Sequence, residues 1–416
     1  MKYFPDIKDI KRVKKRIKHI SLSTPLQYNE VCSSELNANV WFKREDLQKI
    51  RSYKIRGSYN KMSSLSKKEL NEGVVCASAG NHAQGVALSA KTLNTIATVF
   101  MPCTTPKQKV EQVKWFGKEN VKVILDGDTF DHSYILAKDF AIINNKTFVH
   151  PFDDPKIIEG QGTIGLEILN ETKENIDYLF LPVGGGGVLS GVGAVFHHLS
   201  PSTKIIGVEP EGAPSMSKSI KQNGIVELQQ IDRFVDGAAV KQVGELNFTI
   251  AKKILNKIIT VPEGALCDHI LKLYNKEAIV AEPAGVLGLA GMYELKDELK
   301  GKNIVCLISG GNNDITRMEE IKERALLHNK LKHYFIIQFP QRAGALKEFV
   351  AEVLGPNDDI THFEYTKKHS RDKGTAVVGI ECLNKDELEP LVKKMKEKGF
   401  YRDYLNNKQD IRQILI

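Results

Sequence analysis

From about residue 73 to residue 327, short apolar runs alternate with segments of helical periodicity, and this rhythm constrains the fold more than any other feature. The runs lie at 74–77, 96–101, 121–125, 148–151, 178–183, 205–208 and 304–308. Strands this uniformly apolar have no face to offer water, so they predict parallel sheets covered on both sides by helices, an α/β architecture. After about residue 330 the rhythm changes. A strand at 334–339, a helix at 345–353, strands at 360–366 and 375–382 and a helix at 385–397 make a βαββα unit, with room for one last short strand. This is a separate α+β domain, and the charged stretch 317–332 suits a helix end and linker. The expected division is 1–325 and 331–416, with a smaller subdomain at about 50–150 inserted in the larger one. The chain's 416 residues, 42% of them hydrophobic, suffice for a core in each.

The net charge of +8 raises the question of nucleic acid. Seven of the basic residues, however, lie between positions 6 and 18, and elsewhere the signs nearly balance. In that stretch Ile7, Ile10, Val13, Ile17 and Ile20 recur at helical spacing, so the cations form the wet face of a docked helix. No nucleic-acid partner is expected. No apolar run approaches a membrane span and the basic start lacks a signal peptide's apolar core, so a soluble cytoplasmic protein is expected. Cys32, Cys76, Cys103, Cys267, Cys306 and Cys382 are scattered with no zinc-binding spacing and read as reduced thiols.

Three glycine-marked turns follow apolar strands, where ligands bind in open α/β sheets. In the strongest, Gly184, Gly185, Gly186 and Gly187 let backbone N–H groups approach an anion at the start of a helix. Leu189 and Ser190 break the dinucleotide pattern G-x-G-x-x-G, and no nucleoside-triphosphate loop motif occurs. A turn needed only for tight packing remains open for this segment alone. Ser78-Ala79-Gly80-Asn81-His82 likewise ends a strand and opens a helix, offering hydroxyl, amide and backbone donors to a carboxylate; by itself it reads rather as an ordinary N-cap with His82 a core histidine. The third turn is Ser309-Gly310-Gly311-Asn312.

A resemblance joins the three. Ser52-Tyr53-Lys54-Ile55-Arg56-Gly57, preceded by Lys43-Arg44-Glu45-Asp46, resembles the cofactor-lysine segment of the pyridoxal-phosphate (PLP) dependent threonine dehydratases of fold type II. Residues 78–85 are similar to that family's substrate-carboxylate loop, 184–187 to its phosphate cup, and Ser309 to the partner of its pyridine nitrogen. Segments 160–163, 236–240 and 282–285 match further family stretches. The resemblance spans residues 20–327 and implies two parallel-sheet subdomains. It implies Lys54 as the residue that binds PLP and then takes the substrate's Cα proton, with Asn81 on the cofactor's phenolic oxygen and Ser78, Ala79, Gly80, Asn81 and His82 around the carboxylate. Arg56 is expected to help electrostatically. Lys54 must then have a depressed pKa from burial. A neutral Ser309 hydroxyl cannot hold the ring nitrogen protonated, which favours elimination over amino transfer.

The C-terminal domain resembles the isoleucine-sensing, ACT-like (ferredoxin-like) regulatory domain of biosynthetic threonine dehydratases through Phe339-Pro340-Gln341-Arg342-Ala343-Gly344-Ala345-Leu346, with Ala343 where the family usually has proline. Phe339, Arg342, Gly344 and Leu346 are the implied regulatory residues. The resemblance therefore implies threonine as substrate, serine as secondary substrate, isoleucine as effector, and a homo-oligomer, dimer or tetramer. Glu209 and Ala213 match a racemase metal position, but Ser215 replaces the acidic ligand, so no divalent metal is expected and a monovalent ion stays open. A serine dehydratase or racemase, a silent amino-acid sensor, and a ligand-free packing module for the tail remain alternatives.

Overall fold

The computed structural model describes residues 3–365 and 373–408. The chain divides into two compact units, Met1–Asp314 and Ile315–Ile416. In the first, strands β1 (Leu26–Tyr28), β2 (Asn39–Arg44), β3 (Val74–Ala77), β4 (Ala97–Met101), β5 (Val121–Leu125), β6 (Thr147–Phe148), β7 (Tyr178–Pro182), β8 (Lys204–Pro210), β9 (Lys257–Val261) and β10 (Asn303–Ile308) form two sheets. The larger runs β1-β2-β10-β7-β8-β9 and is parallel except for β1; the smaller runs β5-β4-β3-β6 and is parallel throughout.

The smaller sheet shows why its strands read as unbroken apolar runs. Val74, Cys76, Val99 and Met101 pack on one face against the helices Asn81–Leu93 and Lys107–Gly117, while Val75, Ala77 and Phe100 meet the helix Phe130–Ile143 on the other. Alternate side chains point to opposite faces, and both faces are dry. In the larger sheet, helices Pro155–Glu171 and Gly187–Leu199 contribute Ile158, Ile164, Leu189 and Val192 to one core with Leu179 and Leu181 of β7. The basic N-terminal segment is a helix, Ile7–Ile17, capped by Asp6 and burying Ile10, Val13 and Ile17. Each such burial is worth ~1.5–3 kcal/mol, which outweighs the mutual repulsion of cations left in water. Gly162 is shaped by this docking, since a Cβ there would stand 2.8 Å from Ile10 Cδ1.

Two expectations need correction. The run 148–151 is a strand only at Phe148, the end of Thr147–Phe148; past it the Val149 N–H still donates to the Val75 carbonyl, and the Pro151 carbonyl accepts a hydrogen bond from Lys54. Strands β1, β2 and β9 had no place in the expected rhythm. β2 carries Lys43 and Arg44 into a buried ion network, and β9 opens on the exposed Lys257, so neither has the uninterrupted apolar pattern of the central strands.

In the second unit, β11 (Lys332–Pro340), β12 (Asp359–Tyr365), β13 (Lys373–Glu381) and β14 (Tyr401–Tyr404) form an antiparallel sheet of order β12-β13-β11-β14. With the helical segments 345–353 and Leu388–Glu397 the order is βαββαβ, and the short last strand is present. The expected end of one strand at Thr366 lies outside the described residues. Phe335, Ile337, Phe349, Val378, Ile380, Leu391 and Met395 make the core. The helix Met318–His328 belongs to this unit, where Glu323 accepts hydrogen bonds from Tyr334 and Lys332.

Candidate active site

Lys54 opens the helix Lys54–Ser63, and its Nζ donates to the Pro151 carbonyl at 2.8 Å. Burial pushes its ammonium down to about 8, against the opposing pull of the Glu282 carboxyl. Water cannot solvate the charge, so the neutral amine is favoured. The residues after Pro151 lead to the glycine turn. Phe152 lies directly beneath it: a Cβ on Gly185 would meet the Phe152 ring at 2.3 Å, and one on Gly187 would meet the Phe152 carbonyl at 3.0 Å. Gly186 has φ +91°, a conformation side chains rarely adopt. The turn is therefore both packed from below and wound so that only glycine fits.

The helix Gly187–Leu199 begins there with no side-chain cap, which leaves its first N–H groups for an anion. Asn247 secures the turn by donating to the carbonyls of Gly185 at 2.9 Å and Phe152 at 3.1 Å. Asp153 in turn accepts from the N–H groups of Glu245, Leu246 and Asn247, the first turn of the helix Glu245–Ile254. His150 Nδ1 accepts from the N–H groups of Phe152 and Asp153, and burial pushes its imidazole down to about 4, so it stays neutral. Residues 150–153 thus tie the Lys54 amine and the glycine turn to one support.

The other two turns converge on the same place. Ser309 is buried; its carbonyl accepts from the Tyr53 N–H at 3.3 Å, its hydroxyl donates to the Ala284 carbonyl at 3.3 Å, and Gly310 bridges to Ser52. Asn312 Nδ2 donates to Asn81 Oδ1 at 2.6 Å, which links the third turn to the second. The helix Asn81–Leu93 is preceded by Gly80, again with no side-chain cap. Ser78 Oγ accepts from the Gly80 N–H at 3.2 Å, and a Cβ on Gly80 would meet nothing within 4 Å. Ala79, Gly80 and Asn81 are half-buried. His82 differs: its side chain is buried, Nε2 pairs with the Val149 carbonyl at 2.9 Å, and burial pushes its pKa down to about 3. Its ring belongs to the core, and only its backbone N–H lies at the open helix start.

Arg56 needs a correction too. Its guanidinium is wholly buried and bound to Glu45, Glu167, Thr163 and the Leu22 carbonyl, so it neutralises carboxylates instead of acting on Lys54. With Lys43 against Glu167 and Arg44 against Asp46, it makes 43–46 the wall of the lysine helix. Glu209 accepts from the N–H groups of Met216 and Ser217 and caps the helix Ser215–Gln222. Asn247 and Glu282 were missing from the expected site. The available signal for Glu282 was its place in the segment 282–285 that resembles the family; in the structure a Cβ on Gly310 would stand 2.3 Å from its Oε1.

Residues 18–310 match the pyridoxal-phosphate dependent enzyme family. The chain belongs to that family. Residues 323–415 match the C-terminal regulatory domain of threonine dehydratase. The chain is 55% identical over 410 residues to the biosynthetic L-threonine dehydratase of Halalkalibacterium halodurans, covering 99% of each chain, and 52% identical to that of Bacillus subtilis, covering 99% and 97%. Among solved structures it resembles the processed form of tomato threonine deaminase isoform 2, with TM-score 0.72 and 38% identity over 77% of this chain and 95% of that one. It also resembles maize serine racemase, with TM-score 0.72 and 30% identity over 78% and 99%. In a pyridoxal-phosphate enzyme an anion cup and a depressed lysine are the two fittings the cofactor requires, and residues 150–153 hold both.

In the second unit, Phe339 is buried among Phe349, Phe363, Tyr365 and Phe400. Gly344 takes φ +83° before the short helix Ala345–Glu348. Arg342 pairs with Glu348, and Leu346 is 47% exposed. The four expected regulatory residues thus occupy one strand end, the following turn and the short helix after it, with Phe339 in the core and Leu346 at the surface. No described helix is long and apolar enough to cross a membrane.

Proposed function

We propose that this chain is a threonine dehydratase, converting L-threonine to 2-oxobutanoate and ammonia by α,β-elimination with pyridoxal phosphate at Lys54. One observation carries it: a lysine amine depressed by burial shares its support with an uncapped glycine cup, in a chain that matches biosynthetic L-threonine dehydratases along nearly its whole length. The residues fit the group. Gly184, Gly185, Gly186 and Gly187 would hold its phosphate, Asn81 its ring oxygen, Ser309 its ring nitrogen and Lys54 its aldehyde carbon. When bound, the cofactor supplies an electron sink at the substrate's Cα.

The remaining work falls to side chains. The open N-terminus of the helix Asn81–Leu93, with Ser78, Ala79 and Gly80 before it, offers donors to the substrate carboxylate. Lys54, partly neutral near pH 8, removes the Cα proton; a placed base of this kind gives ~10²- to 10⁴-fold. A neutral Ser309 hydroxyl beside the ring nitrogen would supply no charge to hold it protonated, which would favour elimination over amino transfer.

The second unit is the seat of regulation in this proposal, with isoleucine as effector at Phe339, Arg342, Gly344 and Leu346. The enzyme would act in the cytoplasm as a homo-oligomer, opening the route to isoleucine. Following oxo-acid release from threonine, from serine, and from threonine with isoleucine tests these points together. Threonine is expected to react faster than serine and isoleucine to slow it. Serine epimerisation without oxo-acid release would instead support a racemase, and indifference to isoleucine would remove the effector assignment.

A further inference from the structure

We propose that Glu282 is a positioning residue whose buried carboxyl, seated between the 78–81 and 309–312 turns, fixes the Asn81 amide with one N–H left for the cofactor's ring oxygen. This inference rests on the assignment of Lys54 and Asn81 made above. No step of the elimination assigned so far uses Glu282, yet three segments are built around it. Asn81 Nδ2 donates to Glu282 Oε1 at 2.6 Å. A Cβ on Gly310 would intrude to 2.3 Å of the same oxygen, and one on Gly237 would stand 3.7 Å from it. The Glu282 backbone N–H donates to the Gly310 carbonyl at 3.1 Å. The carboxyl of a residue with 6% exposure has therefore been given room by Gly310 and a donor by Asn81.

The network decides which end of the Asn81 amide is nitrogen. The Ile50 backbone carbonyl can only accept, and Asn312 Nδ2 lies 2.8 Å from it, so that end of Asn312 is a donor. The same Nδ2 reaches Asn81 Oδ1 at 2.6 Å, so that end of Asn81 is an acceptor. Asn81 Nδ2 must then face Glu282, whose carboxyl accepts whether or not it is ionised. An amide nitrogen has two N–H bonds, and Glu282 takes one. Without the carboxyl, Asn312 alone would hold the amide by its oxygen, and Nδ2 would lose the acceptor that aims its second N–H at the ring oxygen. Burial and the neighbouring Asp236 push the Glu282 carboxyl up to about 7, with Asn81 and Lys109 opposing, and Glu282 in turn favours the charged Lys54. Lys109 is itself paired with Asp236, so it serves Glu282 only in part.

The test uses the full chain, stripped of cofactor and titrated with pyridoxal phosphate while the visible absorbance and the dissociation constant are recorded. Glu282→Ala should weaken cofactor binding ~10- to 100-fold, the range of one charge-assisted hydrogen bond, and shift the absorbance maximum. Glu282→Gln keeps an acceptor oxygen and should restore both the maximum and an affinity within ~3-fold of the parent. Asn312→Asp puts an acceptor against Asn81 Oδ1, so it should turn the amide and reproduce the Glu282→Ala spectrum with Glu282 intact; this guards against a Glu282→Ala chain that fails to fold. Parent-like spectra and affinities in folded Glu282→Ala, or in Asn312→Asp, would overturn the positioning role. Absence of any visible band in the parent would overturn the Lys54 assignment, and this inference with it.

Discussion

Replacing Arg56 with methionine separates a structural role for that cation from a catalytic one. The guanidinium's five N–H groups share six acceptor contacts: Nε and Nη2 to Glu45 at 2.8 and 2.7 Å, Nη1 and Nη2 to Glu167 at 2.7 and 2.8 Å, Nη1 to Thr163 at 3.1 Å and Nη2 to the Leu22 carbonyl at 3.0 Å. Methionine keeps most of the volume but leaves two buried carboxylates facing each other. Removing one side of a buried ion pair costs ~3–5 kcal/mol. Lys43 remains 3.0 Å from Glu167 and Thr24 2.5 Å from Glu45, so the lower end, ~3 kcal/mol, is expected. Both tryptophans, Trp41 and Trp115, lie in the first unit, so tryptophan fluorescence during urea unfolding reads that unit alone. The protein that stays folded in mild conditions should keep the cofactor absorbance and the pH profile of the parent. A loss below ~1 kcal/mol, or a folded Arg56→Met protein whose pH profile moves, would refute this assignment and return Arg56 to the chemistry.

Gly186→Ala must take up φ +91° and should lose ~1–2 kcal/mol of stability from that strain; because the N–H groups of the cup move with it, cofactor dialysis should show faster loss than from the parent. The apo-protein's Lys54 should capture pyridoxal phosphate with a rate that rises through a midpoint near pH 8, since burial has lowered its pKa from the ordinary lysine value. Between about pH 8 and the unfolded lysine value the unfolded chain holds more protons at Lys54 than the folded one, so Lys54 contributes a gain in apo-protein stability as pH rises there. A capture midpoint above pH 10 would contradict the burial argument.

The sequence alone revealed what depends on repeated pattern. Strands buried on both faces, such as Tyr178–Pro182 and Asn303–Ile308, read as apolar runs, and four consecutive glycines announced a close backbone approach. It hid what depends on pairing across the chain. Leu26–Tyr28 is three residues at an edge, and Asn39–Arg44 is half polar because its end joins an ion network with residues over 120 positions away. Arg56 sits two residues from Lys54, yet it follows helix geometry onto another face. Asn247 stands alone in sequence, and Glu282 lies in the segment 282–285 whose resemblance names no role for it; only the fold brings one to the glycine cup and the other against Asn81.

Catalysis at this site requires a desolvated Lys54 amine to meet an aldehyde whose phosphate is seated at residues 184–187. Borohydride reduction of the holoenzyme, digestion and mass mapping of the pyridoxyl-modified peptide test this directly. A single label on Lys54 is the expected result; a label on another lysine, or none, would contradict it.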